Sequence, residues 1–373
     1  PVGCPPLRAL LSPADEVTVV ISDITRFWMR QDLLCPLLLD YLNGLGIADA
    51  QVVFLVAIGT HRKQTDDELQ RLVSPAVYAR ARVANHDAYG PLTEVGRTTR
   101  GTAVRVNPLV VGRKVILLGG TVHHFFAGYG GGRKSILPGV SGAETVTRNH
   151  LHTLDPHAAR SNPLTGCGLL QNNPVHEDMT EAAALVNPVF GFNVVCDGEG
   201  RHVALIGGHW QRAWEESCRV VDGVAGVPLA QRADVVVASC GGYPKDINLY
   251  QSAKSLLNAS RAVREGGTLL LLARCEEGGG PPAFFDWCAS QARGTLHRDL
   301  SAGYTIAGYI FYLCCEAAKH ARIRLLTEIP AETLAPMGIE GVTSVEALLA
   351  GIDTQKRRVI VMPHAASTVP MPE

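Results

Sequence analysis

Long apolar runs are missing from this 373-residue chain: the longest, Val52 to Ile58 and Val115 to Leu118, fall well short of the roughly 20 residues that span a bilayer. No membrane segment is expected. An excess of charge of one sign is missing too. Lys plus Arg number 34 against 35 Asp plus Glu, a formal net charge of -1, so no long-range field draws the protein to nucleic acid or anionic lipid. The ten cysteines form no C-x-x-C pair and keep no regular spacing, which excludes a zinc ribbon or a dithiol redox motif and reads as buried reduced thiols. Pro1 to Leu11 holds tandem prolines and one Arg, without the apolar stretch and cleavage signal of a secretory leader. With the cysteine pattern, this points to the cytoplasm. What the chain does have is 46% hydrophobic residues over a length of two or three domains, ample to bury a core in each.

Short β-branched runs alternate with helical patterns, and each stops abruptly at a polar or glycine-rich stretch, the signature of βα units with a mostly parallel sheet. Val17 to Ile21 runs into Ser22-Asp23-Ile24-Thr25-Arg26, Val52 to Val56 into Ile58-Gly59-Thr60-His61-Arg62, and Val115 to Leu118 into Gly119-Gly120-Thr121-Val122-His123-His124. In open α/β sheets the ligand crevice lies beyond the carboxyl ends of the strands, so Asp23, Arg26, His61 and His124 are expected on one rim. Asp234 to Ser239, Thr268 to Leu272 and Val359 to Met362 are further buried strands of a second α/β unit, and Glu276 to Pro282 is a loop. The expected organisation is two α/β domains with mostly parallel sheets, 1–227 and 228–373, the second closing over an active-site cleft between them.

The densest chemistry lies between His123 and His150. Gly128, Gly130, Gly131 and Gly132 permit backbone conformations closed to other residues and let a flat or anionic group approach the main chain, unless they form only a mobile loop. Two familiar phosphate motifs fail. A P-loop needs Gly where Arg133 precedes Lys134-Ser135, and G-x-G-x-x-G fails because Arg133 or Ser135 stands at the last glycine. A dinucleotide bound in the usual Rossmann manner is therefore unsupported. His61 and His124 both follow strands, beside an Asp-x-Thr-Arg turn, and an imidazole can act as acid or base near neutrality. His150 can bind a metal or cap a helix, and His123, one residue from His124, is expected to point away from it. Gln251 and Lys254 share a helical face on which an amide and an ammonium can meet a carbonyl or carboxylate oxygen, or simply face solvent.

These residues, in this order, resemble the nickel-pincer lactate racemase family. The marks are Asp23-Ile24-Thr25-Arg26; Ala57-Ile58-Gly59-Thr60-His61-Arg62; His124, then Arg133-Lys134-Ser135-Ile136-Leu137-Pro138-Gly139; Asn149-His150; and Tyr243-Pro244-Lys245-Asp246 through Tyr250-Gln251 and Lys254. The resemblance implies a cytoplasmic 2-hydroxy-acid racemase or epimerase. Its cofactor would be pyridinium-3,5-bisthiocarboxylic acid mononucleotide, joined to Lys134 through a thioamide and carrying nickel that His150 ligates, a donor set that suits Ni(II). Asp23, Ile24, Thr25 and Arg26 would hold the ribose-phosphate side, with Arg26 also serving the substrate carboxylate. His61 and His124 would be the acid/base pair, while Gln251 and Lys254 would hold the substrate oxygens. Partners are then the small 2-hydroxy acid and dedicated cofactor-maturation enzymes, without which the protein stays apo. One departure stands out: Phe27-Trp28-Met29 follows Arg26 where family members commonly continue with proline. These bulky side chains are expected against the pocket, Trp28 reshaping it, so malate, a longer aliphatic or aromatic hydroxy acid and an aldonate stay open beside lactate. Two other readings compete, an NAD-type 2-hydroxy-acid dehydrogenase and a non-catalytic nickel- or nucleotide-binding protein using His124 and His150.

Overall fold

The computed structural model describes residues 1–353, 355 and 357–372. The chain forms two compact units, one of Pro1–Thr153 with Pro163–Val224, the other of Leu154–Asn162 with the chain from Ala225 onward. Among the described residues, no helix is long and apolar enough to cross a membrane.

The first unit contains β1 (Val17–Ser22), α1 (Gln31–Gly44), β2 (Val52–Ala57), β3 (Arg82–Asn85), β4 (Thr93–Arg97), β5 (Ala103–Val106), β6 (Lys114–Gly120), β7 (His123–His124), β8 (Ala127–Tyr129), α2 (Ala143–Leu151), α3 (Pro174–Val186), β9 (Phe190–Cys196), β10 (His202–Gly208) and α4 (Trp210–Ala225). Six strands make one sheet in the order β10-β9-β6-β1-β2-β3. All neighbours in it are parallel except the β9 and β10 pair. β1, β2 and β6 are buried along nearly their whole length. That accounts for their unbroken β-branched runs, since a parallel strand covered on both faces has no reason to alternate.

From β1 the chain moves through β2 to β3 on one side, then returns to place β6 and β9 on the other. The direction of winding therefore reverses between β1 and β6, and the loops leaving their carboxyl ends diverge there, which opens a crevice at the strand ends. β4 and β5 form a separate hairpin, and β7, β8 and Gly166–Cys167 a small three-stranded sheet beyond the end of β6.

The second unit contains β11 (Ala233–Ser239), α5 (Leu249–Ser260), β12 (Val263–Leu272), α6 (Ile306–His320), β13 (Arg322–Leu326), β14 (Ile339–Val342) and β15 (Val359–Met362). Its sheet is wholly parallel, in the order β14-β13-β12-β11-β15, so it too reverses direction, between β11 and β15. The excursion Leu154–Asn162 is fastened to this unit by Glu316 of α6, whose carboxylate accepts from the Ser161 N–H at 2.7 Å and from the Ser161 hydroxyl. The expected strands at 17–21, 52–56, 115–118, 234–239, 268–272 and 359–362 are all present, and the architecture is α/β with mostly parallel sheets. The antiparallel edge pair β9 and β10 was not foreseen: Val203 and Leu205 on β10 are exposed, so that strand carries no buried-strand signature.

Candidate active site

Asp23 follows β1 directly and caps the 3-10 turn Ile24–Met29. One carboxylate oxygen accepts from the Thr25 N–H at 3.1 Å and the Thr25 hydroxyl at 2.5 Å. The other accepts from His61 Nδ1 at 2.8 Å. Burial pushes the Asp23 carboxyl up, but the bonds from His61 and Thr25 and the charges of His61 and Arg26 outweigh it and hold it below the usual carboxylate range. Because a carboxylate only accepts, His61 Nδ1 carries the proton and Nε2 is left basic. The Ile24 N–H donates to Gln64 Oε1 at 3.2 Å, and Arg26, exposed, reaches back to Thr25 Oγ1 at 3.0 Å.

The loops after β2 and β6 are joined to each other by main-chain bonds. Gly59 N–H donates to Gly139 O at 2.8 Å and Gly139 N–H to Lys134 O at 3.0 Å, which ties the His61 loop to the Lys134 turn. Lys134 Nζ lies 3.3 Å from His124 Nε2. His124 Nδ1 faces the N–H groups of Phe126 and Ala127 at 3.5 and 3.3 Å, so the neutral ring bears its proton on Nε2, and the amine beside it is the acceptor. That polarity agrees with the electrostatics. Burial, then the charges of Arg133 and Arg26, holds Lys134 well below the usual ammonium range, and burial, then Lys134 and Arg26, holds His124 well below 6.5. Arg26 thus lies within electrostatic reach of Asp23, His124 and Lys134 alike.

His150 is nearly fully buried on α2, its ring packed edge-on to Phe126 with centroids 5.1 Å apart. Nδ1 donates to the Val146 carbonyl at 2.8 Å, which fixes the tautomer and leaves the lone pair on Nε2, the form in which a histidine ligates a metal. Burial, with a smaller contribution from the neighbouring Lys134, lowers its pKa to about 3, so protons do not compete for that nitrogen near neutrality. Among the described residues no three His, Cys, Asp or Glu side chains gather around one point. A metal here would therefore take some of its donors from a bound group. The nickel-pincer nucleotide fits that requirement, with a half-buried amine at Lys134 to join it and, beside His150, a fully buried acceptor, Asn149 Oδ1, that no donor among the described residues reaches.

In the second unit, Lys254 Nζ donates to Gln251 Oε1 at 3.0 Å on the first turns of α5, and Asn248 caps that helix by accepting the Gln251 N–H. The pair on one helical face is therefore formed as the spacing predicts.

Two features differ from the sequence reading, and a third, the burial of Arg133, lay outside it. The glycines of the loop are explained by the protein's own packing: a Cβ on Gly132 would lie 2.4 Å from Trp214, on Gly131 2.8 Å from Gly120 O and on Gly128 2.5 Å from Leu169 O, all at positive φ. Arg133 does not face the site; it is fully buried beneath it. Of the Phe27-Trp28-Met29 run, Met29 sits in the core and Phe27 lies under Arg71 at 4.4 Å, so only Trp28 reaches the strand ends, its ring pressed on Gly120. His123 does point away from His124, its Nε2 bonded to Asp222 at 2.9 Å. Sequence reasoning missed Asp222 and Asp178, which carry no local motif, and gave Asn149 no role.

Residues 1–162 match the lactate racemase N-terminal domain family and residues 229–304 the lactate racemase C-terminal domain family. The lactate racemase of Thermoanaerobacterium thermosaccharolyticum is 33% identical over 308 residues, 81% of this chain and 70% of that protein. That of Lactiplantibacillus plantarum is 29% identical over 288 residues, 76% of this chain and 66% of that protein. The structure of the lactate racemase apoprotein from T. thermosaccharolyticum matches with a TM-score of 0.88 and 27% identity, over 100% of this chain and 90% of that one. A Thermotoga maritima protein shares the fold at a TM-score of 0.65 and 15% identity, over 96% and 94% of the two chains.

Proposed function

Because the chain belongs to the lactate racemase family and is an isomerase, we propose that it interconverts the enantiomers or epimers of a small 2-hydroxy acid, with His61 and His124 as the acid/base pair. The observation that carries this reading is the convergence at three adjacent strand ends of a carboxylate-held imidazole, a second imidazole and an amine kept from charging. Lys134 would hold a nickel-pincer pyridinium nucleotide and His150 would ligate its nickel. When bound, that group supplies an electrophilic ring able to take the substrate's α-hydrogen with its electron pair and to return it.

The chain's own residues do the rest. His61 Nε2 takes the hydroxyl proton, and Asp23 stabilises the imidazolium that results while holding the ring in place. His124, with its proton on Nε2, offers a hydrogen bond to the oxygen that develops. As the α-hydrogen returns, the oxygen takes back one proton and both imidazoles end neutral; for the other enantiomer the roles exchange, which requires the His124 proton to move to Nδ1, and contacts of 3.3 and 3.5 Å oppose that only weakly. Arg26, exposed at the same rim, binds the substrate carboxylate, and Asp23, Ile24 and Thr25 hold the ribose-phosphate side. Gln251 and Lys254 hold the oxo and carboxylate oxygens. With ten cysteines that keep no regular spacing, the reading places the protein in the reducing cytoplasm, where cofactor-maturation enzymes are its partners.

The test is protein coexpressed with those enzymes, examined by intact mass, nickel content and chiral chromatography of a panel of 2-hydroxy acids. A nucleotide-sized adduct on Lys134, nickel and racemisation of at least one acid are expected. His61→Ala and His124→Ala should each lower kcat by roughly 100-fold or more while keeping the adduct. An unmodified Lys134 in protein where a family member is loaded would overturn the cofactor assignment, and a loaded protein that turns over no acid in the panel would overturn the racemase.

A further inference from the structure

His150 is the second-last residue of α2, and the residue before it is gripped from outside the helix. Asn149 is fully buried, and its Nδ2 donates to the Val175 carbonyl at 3.1 Å and to Asp178 Oδ2 at 2.9 Å. Both acceptors belong to α3. Asp178, also fully buried, receives the Thr102 hydroxyl on the same oxygen at 3.0 Å and the Thr98 hydroxyl on Oδ1 at 2.5 Å. Those threonines flank the turn that joins β4 to β5. One carboxylate thus ties three segments distant in sequence to a point one residue from the candidate metal ligand.

The arrangement has a geometric consequence. α2 is only nine residues long, and its roll about its own axis decides where each side chain points. Successive residues are set about 100° apart around a helix, so fixing the azimuth of Asn149 fixes that of His150. The Val146 carbonyl then sets the ring's orientation by taking the Nδ1 proton. The grip also leaves Asn149 Oδ1 as a buried acceptor with no donor among the described residues, whereas nearly all buried polar groups are paired. The amide is oriented by what its hydrogens hold.

We propose that Asp178 is the positioning residue of the metal site: through Asn149 it sets the direction in which α2 presents the His150 imidazole. The functional meaning rests on reading His150 as the nickel ligand, but the positioning is a property of the unloaded chain. Asp178 touches no reacting atom and acts only through α2.

The experiment reads the His150 Nδ1 proton by NMR in cofactor-free protein labelled with ¹⁵N-histidine, the signal being assigned by its loss in His150→Gln. Asp178→Asn sets amide against amide at Asn149. The exchange Asp178→Asn with Asn149→Asp puts donor and acceptor back opposite each other at 149 and 178, while the Val175 carbonyl loses its donor. Solvent exchange of the Nδ1 proton should be about tenfold faster in Asp178→Asn and return towards wild type in the double variant. In loaded protein, Asp178→Asn should shift the visible absorption of the nickel centre and lower kcat more than it changes KM, with both recovering in the double variant. A folded Asp178→Asn protein with unchanged exchange and unchanged absorption overturns the proposal. If that variant does not fold, Thr102→Val removes one donor to Asp178 and leaves the carboxylate; level exchange there overturns it equally. Wild-type protein that takes up no nickel would overturn the nickel reading and leave the exchange result standing.

Discussion

Arg133 is fully buried, and none of the partners that hold it is a carboxylate. Nε donates to His176 Nδ1 at 2.9 Å, the two terminal nitrogens to Tyr129 O at 3.0 Å and Ala127 O at 2.6 Å, and the group lies 3.8 Å from the Trp214 ring centroid. Burial lowers its pKa to about 9, which still leaves it charged at neutral pH. The residue therefore does two things. Its two main-chain bonds pin β8, the strand paired with the one carrying His124, while the third reaches His176 of α3, and its charge discourages a second charge on Lys134 next to it. Read along the chain, Arg133 and Lys134 look like one basic pair aimed at a ligand. They separate because in a 3-10 turn consecutive side chains diverge by about 120°, so one enters the core while the other reaches the site. Lysine has no fork with which to reach two carbonyls and a ring nitrogen at once. Arg133→Lys should cost on the order of 3–5 kcal/mol, seen as a lower urea midpoint, because it leaves buried acceptors without donors. A loss under about 1 kcal/mol would mean that the loop is held by its glycine packing alone.

The hairpin of β7 and β8 is the element on which the proposed chemistry turns, and its two faces have different tasks. His123 pairs with Tyr129 across it, their rings stacked with centroids 5.1 Å apart, and both bond Asp222 of α4, Tyr129 at 2.7 and 2.9 Å. On the register of the hairpin, His124 pairs with Gly128 and takes the opposite face. Asp222 therefore steadies the hairpin from behind. Its side chain is 42% exposed, so replacing it disturbs little of the core. Asp222→Leu should lower kcat by roughly tenfold or more through displacement of His124, with a small change in melting temperature. A kcat within about twofold of wild type would assign the hairpin's position to Arg133 and not to Asp222. Much of this element's surroundings was legible in the sequence, because β1, β2 and β6 are buried runs and the residues where they stop sit at the crevice. Strand alternation also separated His123 from His124. The reason for the glycines was not legible, since it lies in Trp214 and Leu169, far along the chain, and neither was Asp222, whose partners are assembled only by the fold.

At the scale of the molecule, each unit winds away from its first strand and reverses, and in the first unit this gathers several titratable groups in one buried place. His124 and His150 are held neutral there, chiefly by burial, and His176 beneath them is likewise lowered to about 3. A histidine whose folded pKa is depressed binds its proton more readily in the unfolded chain, near pH 6.5. Its neutral form costs no stability above that pH. Stability is lost as pH falls from about 6.5 and the loss levels off only below the folded value, about 3 for His150. Asp23 has the opposite character: its contribution is intact above the ordinary carboxylate pKa and fails only as pH falls below it. The histidines therefore set the first acid limb, well before the carboxylates contribute. For His150 alone, a drop from pH 7 to 5 corresponds to about 2 kcal/mol by linkage. Urea unfolding of cofactor-free His150→Gln should accordingly lose about that much less stability between pH 7 and 5 than wild type. Parallel losses in the two proteins would mean that His150 takes up its proton in the folded state. A metal would then have to displace that proton, and nickel binding would weaken on the same acid limb.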